Sequence, residues 1–181
     1  MTYPFIGAAN YTPANRVHIS LLVLHSMESQ EKPGTARRVA EWFASEDAPM
    51  ASAHYCVDDR EVIQCVMENN VAWHAPGVNA HSIGIEHAGR AAQTRDQWLD
   101  EFGLGMMRQS TMLAADLCER WRIAPVYVDA DGLRAQRAGI TTHFQVSLAF
   151  RRSVHWDPGP SFPLEWYIER VKDILNIQET I

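Results

Sequence analysis

Ile19-Ser-Leu-Leu-Val-Leu24 is a nearly continuous apolar run that stops at His25. A strand with one wet face alternates apolar and polar residues. An unbroken run therefore reads as a strand buried on both faces, which needs helices above and below a sheet. The rest of the chain offers that cover. Thr35 to Ser45 follows the Pro33-Gly34 breaker and places Ala36, Val39, Ala40 and Phe43 on one helical stripe, with Thr35 as N-cap. Ser52 to Val57 and Glu61 to Val66 flank Asp58-Asp59-Arg60 and read as a β-hairpin.

Further along, His81 to His87 predicts a strand with Ile83 and Ile85 on one face. A long helix is expected from Arg95 to Arg122, opened by a Thr94/Gln97 capping box, with Gly103 and Gly105 inviting a kink or a late start. Gly139 to His143 reads as a short strand or loop. A last helix runs from Pro163 to Leu175 behind Ser161, packing through Trp166, Ile168, Val171, Ile174 and Leu175. Strands alternating with helices around an embedded hairpin predict an α/β fold with a mixed central β-sheet flanked by helices.

A chain of 181 residues with 46% apolar content fits one domain, 1–181, whose first 16 residues form an irregular lead-in carrying Pro4 and Pro13. Acidic residues outnumber basic ones 22 to 16, for a net charge of −6. That balance excludes a general binder of nucleic acid or anionic membrane, which needs a basic face. No apolar run approaches the ~18 residues of a membrane span. The start, MTYPFIGAAN, has no basic or apolar segment of a secretory signal, so synthesis in the cytoplasm is expected. Three cysteines without a CxxC do not make a disulfide scaffold. Cys56 and Cys65 fall on either side of the hairpin turn, which permits a bridge without requiring one.

HExxH, GxSxG, P-loop and Cys-rich zinc spacings are all missing from the sequence. Any chemistry must come from scattered residues. His25 closes a buried strand, where open α/β sheets form their binding crevice, although a histidine simply leaving the core fits equally. His143 follows another short apolar stretch, with the same plain alternative. In His155-Trp-Asp157-Pro-Gly-Pro160 the prolines and glycine fix the backbone after Asp157, which a helix-entry turn would also explain. Taken together, two histidines and a carboxylate could supply three ligands of a tetrahedral Zn²⁺ with a fourth position left for water. Glu86 lies opposite Ile83 and Ile85 on its strand, beside the bare backbone of Gly84, and suits an open groove or a solvated edge.

Five blocks in order resemble a known family: LLVLHSM at 21–27, SAHYCVDDREVIQCV at 52–66, AWHAPGVNAHSIGIEHAG at 72–89, GITTHFQVS at 139–147 and HWDPGPSF at 155–162. The chain is similar to the zinc-dependent N-acetylmuramoyl-L-alanine amidases, which share a fold with peptidoglycan recognition proteins and phage lysozyme-type amidases. The resemblance implies a mixed-sheet amidase fold and zinc ligation by His25, His143 and Asp157. It further implies that Glu86 activates water and that His155 stands where a lysine often stabilises the oxyanion. Trp73 and His74 match a segment lining the substrate groove, His54 has a less defined role, and His18, His81 and His87 match no site.

The implied reaction is hydrolysis of the bond between N-acetylmuramic acid and the L-alanine of the stem peptide. Peptidoglycan or muropeptide is the expected partner, with no nucleic acid, no membrane insertion and a monomeric chain. The competing readings are a non-catalytic peptidoglycan-binding module and a zinc peptidase cutting within the stem peptide. The expected setting is that of an endolysin released onto the cell wall, with recycling of wall fragments in the cytoplasm as the alternative.

Overall fold

The computed structural model describes residues 2–179. Its centre is a five-stranded sheet in the order β4-β3-β6-β2-β7. The strands are β2 (Leu21–Ser26), β3 (Tyr55–Val57), β4 (Val62–Gln64), β6 (Ser82–His87) and β7 (Gly139–Thr142). Only β4 runs against its neighbour; β3, β6, β2 and β7 are parallel. The expected mixed sheet is present. All six residues of β2 are buried, as the unbroken apolar run requires of a central strand, and the strand continues through His25 to Ser26.

Alternation on β2 and β6 divides the core. Leu22, Leu24, Ile83 and Ile85 face α3 (Glu101–Trp121) and α6 (Leu164–Glu179) in the largest cluster, with Trp98, Met106, Leu113, Tyr167 and Val171. Leu21 and Val23 face the other way, against Val146 of α5 (His143–Phe150) and Leu133 of α4 (Ala130–Arg134). Beside them, α1 (Thr35–Ala44) packs Ala36, Ala40 and Phe43 on Cys56 and Ile63. His25 and Glu86 therefore belong to the α1/α5 face.

Several elements differ from expectation for identifiable reasons. Thr35 is the first residue of α1 rather than its cap; Gly34 holds that position in a left-handed conformation. A distant side chain serves the helix start, since Asp58 Oδ2 accepts the Ala36 N–H at 3.0 Å. The helix expected over 95–122 is broken. The Thr94/Gln97 capping box opens α2 (Arg95–Trp98), and Asp100 then caps α3 by accepting the Gly103 N–H. His143 begins α5 rather than ending a strand, and α6 starts at Leu164. The lead-in is tied down: Ile6 and Ala8 donate to the Gln64 and Cys65 carbonyls, and β1 (Tyr11–Thr12) pairs with β5 (Val71–Ala72). Cys56 and Cys65 are free thiols with sulfurs 3.7 Å apart. Among the described residues no helix is long and apolar enough to cross a membrane.

Candidate metal centre and active site

Register brings the site together. β2 pairs with β6 so that His25 stands opposite Glu86. β2 also pairs with β7 so that Leu24 stands opposite Thr142, which puts His143 level with His25. Thr142 caps α5, turning the chain immediately after the strand and starting the helix on His143. Asp157 arrives from a separate loop, anchored where its carbonyl accepts the Phe144 N–H at 3.0 Å. Gly159, at φ 90°, lets that loop touch the chain at Ala91; a Cβ there would lie 1.9 Å from the Ala91 carbonyl oxygen. The site thus sits at the C-terminal ends of three parallel strands, where such sheets open a crevice.

Nδ1 of His25 lies 3.1 Å from Asp157 Oδ2, and Nδ1 of His143 lies 3.2 Å from Oδ1. One ligand atom from each residue falls within 4.8 Å of the others, and all three residues are buried. Burial would raise the Asp157 carboxyl pKa, but the interactions that outweigh it, led by the hydrogen bond from the His143 ring, hold the group far below its ordinary value. Desolvation pushes His25 the other way, toward the neutral ring that a metal needs. Two imidazoles and a carboxylate are a fitting donor set for Zn²⁺.

Glu86 Oε2 is sealed from solvent and has no hydrogen-bond partner, while the residue as a whole keeps partial exposure. Burial, then the charges of Asp157 and Glu28, raise its pKa from 4.5 to about 8. A carboxyl so poised can accept a proton and return it near neutral pH. Glu28 is held nearby at φ 50°, accepting from the Ser26 hydroxyl at 2.6 Å and the Ala91 N–H at 2.8 Å.

His155 is 63% exposed in its side chain, stacks on His143 at 4.4 Å, and has Nδ1 3.5 Å from Asp157 Oδ1. It therefore stands on the solvent side of the triad. Trp73 is tied to β1, its indole N–H donating to Thr12 Oγ1 at 2.9 Å. His74 is different from expectation: it is only 7% exposed, and its Nδ1 lies 3.0 Å from His25 Nε2. It stands behind a triad imidazole, not along an open groove wall. Its ring fills the space beside Gly84, where a Cβ would lie 2.6 Å from His74 Cγ, so that strand face is closed at Gly84 rather than bare.

Other histidines have structural places. His87 donates from Nδ1 to the His25 carbonyl at 2.9 Å, with Ser110 and Tyr167 continuing the network behind it. His54 is fully buried, accepts the Gly84 N–H, and is lowered to about 3, chiefly by desolvation. No local pattern announces these roles. The one available signal was the alternation that puts Ser82, Gly84 and Glu86 on one face.

A buried His–His–Asp cluster at the strand ends, with a raised glutamate beside it, defines the class as a hydrolase-type site on a mixed α/β sheet. Residues 14–160 match the family described as N-acetylmuramoyl-L-alanine amidase, and this chain belongs to it. N-acetylmuramoyl-L-alanine amidase A of Achromobacter lyticus is 31% identical over 171 residues, covering 89% of this chain and 87% of that protein. Among solved structures, Staphylococcus aureus hydrolase AmiA in complex with its ligand superposes with a TM-score of 0.72 at 14% identity, over 97% of this chain and 86% of that one. The N-acetylmuramoyl-L-alanine amidase LysC from Clostridium intestinale gives 0.66 at 18% identity, over 95% and 98%. At these identities the structural matches speak for the fold, and the sequence matches carry the amidase activity.

Proposed function

We propose that this amidase cleaves the bond between N-acetylmuramic acid and L-alanine at a single zinc ion held by His25, His143 and Asp157. The observation that carries this reading is the convergence of those three buried side chains to within 4.8 Å from segments far apart in sequence. When bound, zinc supplies Lewis acidity, acidifying water and polarising the scissile carbonyl. Glu86, with its unpartnered oxygen, takes the proton of the attacking water and delivers it to the departing L-alanine amine. His155, on the open side, donates a hydrogen bond to the developing oxyanion, an interaction worth about 3–4 kcal/mol in well-formed oxyanion holes. Trp73, beside His74 in the chain, serves as a substrate contact in this reading.

The whole of 1–181 serves as one catalytic domain in this reading, acting as a monomer on cell-wall peptidoglycan after release from the cytoplasm. Digestion of purified peptidoglycan, with products identified by mass spectrometry, tests the assignment. Free stem peptides beginning with L-alanine are expected. Stems cut internally would replace the amidase with a peptidase, and retention on the wall without products would leave only a binding module.

A further inference from the structure

Resting on the zinc reading above, we propose that His74 and Ser82 are positioning residues that lock His25 in its Nε2–H tautomer and aim its Nδ1 lone pair at the metal. The direction of the chain of hydrogen bonds follows from its far end. The Ser82 hydroxyl lies 2.9 Å from the Val78 carbonyl, which can only accept, so the single serine proton points there. Ser82 Oγ is then the acceptor for His74 Nε2, 3.1 Å away, and His74 carries its proton on that nitrogen. A neutral imidazole has one N–H, so His74 Nδ1 holds a lone pair. It faces His25 Nε2 at 3.0 Å, and His25 must donate. The remaining nitrogen of His25, Nδ1, is left as a lone pair facing Asp157 Oδ2 at 3.1 Å.

Two acceptors opposed at that distance repel unless a cation lies between them. Reversing every bond would relieve the repulsion. It would also press the Ser82 and Val78 oxygens together at 2.9 Å with no proton between them. The relay is closed to water: Ser82 is fully buried, His25 and His74 nearly so. The fold also reserves its space, because the His74 ring fits only where residue 84 has no Cβ. Partners that orient a ligating imidazole in this way typically change metal affinity by about 10–100-fold.

The test compares zinc dissociation constants, by chelator competition, for folded wild-type protein and His74→Leu, His74→Asn, Ser82→Ala and His25→Ala. Leu fills the space without an acceptor, whereas the Asn side-chain oxygen can occupy the place of Nδ1. His74→Leu is expected to weaken zinc about 10–100-fold, with His74→Asn recovering most of the loss and Ser82→Ala weakening it less. In parallel, long-range ¹⁵N–¹H spectra of ¹⁵N-histidine-labelled metal-free protein should show His25 protonated at Nε2. That measurement needs no variant to fold. An Nδ1–H signal for His25, or equal zinc affinity in wild type and His74→Leu, overturns the relay. Equal weakening by Leu and Asn overturns it too, leaving His74 a packing residue. If His25→Ala itself keeps wild-type zinc affinity, the metal assignment beneath the proposal has failed instead.

Discussion

Glu86→Gln should make the metal-free protein more stable at alkaline pH while abolishing its activity. In the unfolded chain the carboxyl ionises at its ordinary value of 4.5, but in the fold it holds its proton to about 8. Across that window the native state keeps a proton that the unfolded state has released. Stability therefore falls as pH rises, and the contribution is fully present only below 4.5. At 1.36 kcal/mol per tenfold, the full effect between pH 5 and 8 is about 3 kcal/mol. One carboxylate oxygen keeps some contact with solvent, so about 2 kcal/mol is the working figure. Glutamine keeps the shape and has no charge to desolvate. Urea unfolding of the chelator-treated proteins at pH 5 and pH 8 measures the difference. Glu86→Gln should gain about 2 kcal/mol on wild type between the two conditions. Parallel stabilities at both pH values would refute the claim that this carboxyl is desolvated beside Asp157 and Glu28.

Other consequences are more local. Trp98→Ala empties a fully buried site where α2 meets the main core, and should cost about 3–5 kcal/mol in chemical denaturation. Gly159→Ala drives a methyl group into the Ala91 carbonyl; it should displace Asp157 and lower zinc affinity at least tenfold, read by chelator competition. His155→Ala should retain zinc and lose about 10²–10³ in kcat on muropeptide, with His155→Lys recovering part of it. A zinc-loaded His155→Ala with wild-type kcat would remove His155 from the chemistry.

The sheet was legible because burial on both faces leaves a mark within six residues: the run ending at His25 could hardly be anything but a central strand. His25, His143 and Asp157 could also be picked out, since each ends an apolar stretch or sits in a rigid turn, and the ordered family blocks joined them. What lay beyond reach depended on distant partners. The His74–His25 contact links positions 49 residues apart, and Asp58 serves the α1 start from 22 residues away. Neither leaves a local spacing to read. The α5 segment HFQVSLAF is apolar nearly all round, so it gives no helical stripe. The two-residue strands β1 and β5 are too short for an alternation to register. Gly84 looks like bare backbone in the sequence for the same reason: the His74 ring that fills the space comes from outside its strand.

Anomalous diffraction at the zinc edge, on crystals grown with one equivalent of metal, is the most direct measurement. It should show one peak within about 2.0–2.2 Å of His25 Nδ1, His143 Nδ1 and an Asp157 oxygen. A peak bound elsewhere on the chain, or no peak at full occupancy of the added zinc, would contradict the triad as the place where this amidase holds its metal.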